Sequence, residues 1–213
     1  MKTGRHISFL ATSVLACGSL FCAKVAPVAP QPQPREYAVY AAVLRAMFFD
    51  PAWRDEFGQV RSDVILQLVI MRRTSLGAPP VLAMTELGSD RALAQLAPIQ
   101  SVLFQQLLRD SEISVDLENR FTLEVPVTFL SDQEVEALHS EVMEHGWDNF
   151  YARHQQAGGL LILSRVTFDN TGSTALVYAA SGVENLHAGG YLILVQCVGG
   201  QWSVARAASV WVS

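Results

Sequence analysis

Apolar residues recur along this chain at two spacings, and the spacing changes near the middle. Between positions 35 and 49, Tyr37, Tyr40, Ala41, Leu44, Met47 and Phe48 fall at i, i+3, i+4 and i+7, which is one face of a helix. Asp50-Pro51 is the predicted stop, because the residue before a proline is pushed out of the helical region. Residues 64–72, VILQLVIMR, are β-branched and apolar at both parities and predict a strand buried on both faces. Ser89 or Asp90 is placed to cap a short helix running through Ala97. Pro98 then suits the first turn of another helix, PIQSVLFQQLLR, with Ile99, Val102, Leu103 and Leu107 on one stripe. Residues 121–129 switch to a period of two: Phe121, Leu123, Val125, Val127 and Phe129 inward, Thr122, Glu124 and Thr128 outward. Pro126 falls in the outward set, which marks an edge strand or a bulge. Ser131 and Glu134 form a capping-box pattern for a further helix, with Gly146 as its predicted end.

Beyond Gly158 the pattern is that of strands in succession. LLILSRVTF is followed by the turn DNTGS, then TALVYAASG, the glycine-rich HAGG, and YLILVQCV. Gly199-Gly200 makes a two-residue hairpin turn into QWSVARAASVWVS. Strands this close in sequence pair antiparallel by default. The predicted class is therefore α+β: a mainly antiparallel sheet with a C-terminal four-stranded meander and helices packed on one face.

The N-terminus departs from this. Lys2 and Arg5 precede an apolar run of about ten residues, 7–16, the length of the core of a secretory signal rather than of a membrane span. Prolines at 27, 30, 32 and 34 then predict an extended, solvated spacer. The organisation read from this is a signal over 1–23, a linker over 24–35 and one domain over 36–213. Three processing outcomes fit. VLAC ending at Cys17 is similar to the bacterial lipobox, in which the cysteine becomes the lipidated first residue, although Leu15 stands where a smaller or β-branched residue is usual. Small residues at Ala16 and Gly18 also fit plain cleavage, and an uncleaved anchor over 7–23 is the third. The spacer favours lipidation of Cys17, since a tethered domain needs reach from the bilayer.

Charge narrows the partners. The net charge is −5, and loss of the first sixteen residues removes Lys2 and Arg5 but no acid, leaving the remainder more negative still. An acidic chain with no Lys/Arg cluster is a poor partner for nucleic acid or anionic lipid. Contact with a membrane is then expected only through the N-terminal signal or lipid. Cys17, Cys22 and Cys197 form no CxxC pair and no disulfide framework.

From Gly146 onward the chain resembles a family of exported bacterial proteins of uncharacterised function. The residues that carry the likeness are GWDNFY at 146–151, LSRV at 163–166, ALVY at 175–178, AGGY at 188–191, GGQW at 199–202 and WVS at 211–213. Two departures stand out: ARHQQAG replaces a Tyr-Pro turn, and Thr167 stands where the family favours glycine. The resemblance implies export and fold, and no activity.

Catalytic signatures are missing from the sequence: it contains no GxSxG, HExxH, P-loop or GxGxxG. Glu141 and His145 are one helical turn apart, and with His139, Asp148 or His154 they are the nearest approach to a metal-ligand set. No metal and no cofactor is predicted from so loose a grouping. Ser164 with His187, and more distantly His154, is the nearest approach to a hydrolase constellation. Cys197, in an apolar strand, reads as a small inert hydrophobe. Trp147, Phe150 and Tyr151 bring three aromatics together beside a glycine, and with Arg165 they mark the candidate binding surface: Trp147, Tyr151 and Arg165. The expectation is an exported cell-envelope protein, periplasmic, lipid-anchored or secreted, that binds an envelope protein or a small ligand. An exported hydrolase with a non-standard site is the alternative.

Overall fold

The computed structural model describes residues 31–53, 65, 67–76, 100–141, 146–184 and 187–212. The signal, Cys17, Cys22, the helix read over 89–97 and His145 lie outside them. Among the described residues, six strands form one mixed sheet. In chain order the elements are α1 (Pro34–Phe48), β1 (Gln67–Met71), α2 (Gln100–Asp110), β2 (Val127–Leu130), α3 (Asp132–Glu141), α4 (Gly146–Arg153), β3 (Ala157–Phe168), β4 (Thr174–Glu184), β5 (His187–Val198) and β6 (Gln201–Val212). The strand order across the sheet is β2-β1-β3-β4-β5-β6. β1 pairs parallel with both β2 and β3, and β3 to β6 form the antiparallel meander. The four-stranded meander is thus two-thirds of a larger sheet whose remaining part is parallel.

Helices cover both faces, contrary to the one-faced arrangement expected from sequence. Val177, Ala179, Ile193 and Val195 pack under α1 on one side. Their neighbours Leu176, Tyr178, Leu192 and Leu194 pack on the other side against Leu103, Phe104 and Leu107 of α2. α3 and α4 share that second side, where Val135, Leu138 and Phe150 meet Val69, Leu130, Ala157 and Leu160. The physical reason lies in β4 and β5: strands apolar at both parities need cover on both sides.

α1 is buried almost all round, with 11 of its 15 residues inside. Such a helix belongs to the centre of a domain. Pro34 sits in its first turn, where a missing N–H costs nothing, so Pro34 and Arg35 open the helix rather than end the linker. Asp50 stops it as expected, and its side chain accepts the Ala52 N–H at 2.9 Å. The segment 115–125 closes the outer side of α1. Tyr37 Oη accepts the Glu118 N–H at 2.8 Å, the Tyr37 and Phe121 rings meet edge-on at 5.3 Å, and Arg45 ties to Glu124 and to the Thr122 carbonyl. This explains the alternation over 121–129. Phe121, Leu123 and Val125 do point inward, but only Val127–Leu130 is strand; the rest packs against α1. Pro126 precedes the edge strand β2, and its carbonyl accepts the Leu68 N–H at 3.0 Å.

Local signals held where the interaction is short-range. Ser131 and Glu134 make the reciprocal capping box at the start of α3: Ser131 N–H to Glu134 Oε2 at 2.7 Å, Glu134 N–H to Ser131 Oγ at 3.3 Å. Gly199 and Gly200 both have positive φ, 61° and 82°, as the two-residue hairpin between Val198 and Gln201 requires. Two glycine readings change. Gly146 begins α4 rather than ending α3, and Gly189 and Gly190 lie within β5 rather than in a turn.

Candidate functional site

Among the described residues, three places gather side chains suited to chemistry or recognition. The first is a bulge in β3, where the register with β4 shifts between Leu163 and Val166. Ser164 and Arg165 together lie opposite the single residue Tyr178, one residue more than the ladder needs. Ser164 is fully buried; its Oγ accepts the Tyr178 N–H at 2.9 Å and donates to the Arg165 carbonyl at 2.6 Å. The hydroxyl therefore repairs the ladder that the bulge interrupts. The Ser164 carbonyl accepts the Tyr40 hydroxyl from α1 at 2.8 Å. Burial, reinforced by the negative charge of Glu36, pushes the Tyr40 phenol well above its ordinary range, so it stays a neutral donor. Arg165 reaches α1 instead of solvent and pairs with Glu36 at 3.4 Å. Sequence reasoning missed Glu36. Its only signal is the place three residues after Gln33, whose N–H it accepts at 3.1 Å.

The second place is α4. Trp147 and Tyr151 stack with ring centroids 6.0 Å apart, and Phe150 meets both edge-on at 5.4 and 4.9 Å. Trp147 lies over Gly182 of β4, and Tyr151 Oη donates to the Val183 carbonyl at 2.9 Å. The aromatics wedge the short helix onto the sheet and leave Trp147 and Tyr151 half-buried at its surface. Arg165 is not part of this surface. It faces α1 while α4 lies on the opposite side of the sheet, so the structure brings Trp147 and Tyr151 together and separates Arg165 from them.

The third is an open depression of about 240 Å³ at the C-terminal ends of β1 and β2, lined by Arg72, Arg73, Asp116, Ser131, Asp132 and Gln133. Its charges already oppose one another. Arg73 lies 3.6 Å from Asp116 and 3.2 Å from Asp132.

The hydrolase constellation does not assemble. Ser164 bonds to Tyr178, whereas His187 is paired with Glu184, six residues farther along β4. At about 3.3 Å per residue the backbones are about 20 Å apart. His154 caps α4, its carbonyl accepting the Ala157 N–H at 3.2 Å, and Ser164 follows seven residues along β3, about 23 Å away. His154 instead lies on the Phe150 ring at 5.0 Å. Burial first, and the Arg153 charge second, hold its imidazole below the ordinary value, with Glu134 opposing. Of the metal-ligand candidates, Asp148 and His154 lie in the described part, and the side chains of His139 and Glu141 lie outside it; among the described residues no three acidic, His or Cys side chains group as ligands would. Cys197 is half-buried near the tip of the β5–β6 hairpin. Among the described residues no helix is long and apolar enough to cross a membrane.

The chain matches no known family, no curated protein and no solved structure. The stretches 146–151, 163–166, 175–178, 188–191 and 199–202 are packing junctions here: α4, the β3 bulge, the start of β4, and the β5–β6 pair. Gly190 shows why. A Cβ there would land on Trp211 Nε1 and 2.5 Å from Tyr178 Oη, the two groups that hydrogen-bond at 2.9 Å across the sheet.

Proposed function

We propose that this chain is an exported cell-envelope protein that works by binding an envelope protein or a small ligand, not by catalysis. The observation that carries the reading is the fate of Ser164. Ser164, which the sequence set nearest to a hydrolase grouping, is sealed in the core and committed to the Tyr178 and Arg165 backbone. The signal-like N-terminus, the proline-rich spacer and the acidic balance support export. The half-buried Trp147–Tyr151 stack on α4 is the aromatic surface left for contact, since rings with one polar tip suit recognition.

Cell fractionation with mass measurement of the processed N-terminus tests the location. An acylated Cys17, or a terminus newly cut near Gly18, is expected; an intact chain dissolved in the cytoplasm overturns it. Binding is separated from catalysis by Ser164→Ala. If that variant folds yet abolishes the protein's cellular effect while Trp147→Ala does not, the chain is an enzyme and the proposal fails.

A further inference from the structure

The ion pair between Glu36 and Arg165 is buried and incompletely made. The two side chains are 5% and 17% exposed, one on the first turn of α1 and one in the β3 bulge. A carboxylate and a guanidinium in free contact form a two-pronged fork with N–O distances of about 2.7–2.9 Å. Here one contact is made, Arg165 Nη2 to Glu36 Oε1 at 3.4 Å, and the same Oε1 also accepts the Gln33 N–H at 3.1 Å. The other prong is open: Glu36 Oε2 and Arg165 Nε are both buried and have no hydrogen-bond partner among the described residues. A buried polar group without a partner is strongly disfavoured, and more so when it carries charge. The donors beside the pair are committed: the Gln33 N–H goes to Oε1, and the Tyr40 hydroxyl donates to the Ser164 carbonyl at 2.8 Å.

We propose that a single internal water bridges Glu36 Oε2 and Arg165 Nε and completes the tie between α1 and the β3 bulge. The two open atoms define the ligand. One is an acceptor and the other a donor, so the bound group must both donate and accept. A cation would meet the guanidinium, and an anion would meet the carboxylate. A small neutral molecule that does both is required, and water spans two partners with hydrogen bonds of about 2.8 Å each. The long single contact is the geometry such a bridge sets: the water holds the guanidinium turned away from the fork. The bridge makes the pair a hydrated one. Its charges keep a water-like environment inside the core, which offsets the loss of solvent.

A crystal structure of the purified protein at about 1.5 Å tests the claim. The expected result is one ordered water within hydrogen-bond distance of both Oε2 and Nε. A parallel fork, with both N–O pairs near 2.8 Å and no density between them, overturns it. Magnetic relaxation dispersion of the water nuclei gives a second reading in solution, because it counts long-lived internal waters. Arg165→Lys keeps the charge and removes the Nε–H. Folded Arg165→Lys should show one long-lived water fewer than the wild type; an equal number overturns the proposal. If Arg165→Lys does not fold, the crystal structure of the wild type decides alone.

Discussion

Replacing Gly190 by alanine should destabilise this protein at a position where backbone rules alone predict no loss. Gly190 is a strand residue in β5, and it is absent from the glycines with positive φ. In a strand interior alanine should therefore be as good as glycine or better, by about 0.5–1 kcal/mol. The tertiary structure reverses the sign. The new Cβ would fall on Trp211 Nε1 and 2.5 Å from Tyr178 Oη, both nearer than any real Cβ contact. One of the two rings must move, and the 2.9 Å hydrogen bond from Trp211 Nε1 to Tyr178 Oη breaks. Overpacking costs about 1–3 kcal/mol, and the lost bond, with Tyr178 buried, about 1 kcal/mol more. The expected loss is about 2–4 kcal/mol, or on the order of 10 °C in Tm. Urea denaturation followed by tryptophan fluorescence measures it. The control is a background in which Tyr178→Phe and Trp211→Ala have removed both obstacles. There Gly190→Ala should be neutral or stabilising. A cost that is the same in both backgrounds would show that the close approach is not the cause.

Four further outcomes follow from two hydrogen bonds and two partly or fully buried rings. Thr167→Val removes the 2.6 Å bond to the Asp110 carboxylate that ties β3 to α2, and should cost about 1.5–3 kcal/mol in urea denaturation; a cost below about 0.5 kcal/mol would refute the tie. Ser164→Ala strips the Tyr178 N–H of its acceptor inside the bulge and should cost about 1–3 kcal/mol, with a cooperative unfolding transition retained. The Tyr178 phenol is pushed up to about 12, chiefly by burial, so in an alkaline ultraviolet titration it should stay protonated as the pH passes the ordinary phenol value of about 10. His154 has its folded pKa held below the ordinary 6.5, so the unfolded chain binds more protons as pH falls through 6.5. Its contribution to stability is full above that value and is lost progressively below it, down to the folded pKa. His154→Gln should flatten that slope in chemical denaturation as the pH falls below 6.5; an unchanged slope would assign it to other groups.

What could be read from the sequence alone was what neighbours in the chain decide. The stop of α1 at Asp50-Pro51, the Ser131–Glu134 box and the Gly199-Gly200 hairpin each depend on residues within a few positions of one another. The meander was legible for the same reason, because its strands follow one another and pair with their neighbours. The apolar-on-both-faces character of YLILVQCV was also present in the sequence, and it is the same fact that requires helices on both sides of the sheet. Tertiary structure alone decided where the non-local partners meet. Residues 121–125 alternate like a strand and yet pack against α1, since alternation reports which side chains are inward and not what they touch. Arg165 left the expected surface because its partner Glu36 is 129 positions earlier in the chain. Trp147 and Tyr151 stayed together because one short helix carries both. Gly190 reads as a turn residue in sequence and works as a strand residue in the fold. Its lack of a side chain leaves room for an indole and a phenol to meet, and only the assembled sheet brings those two rings to it.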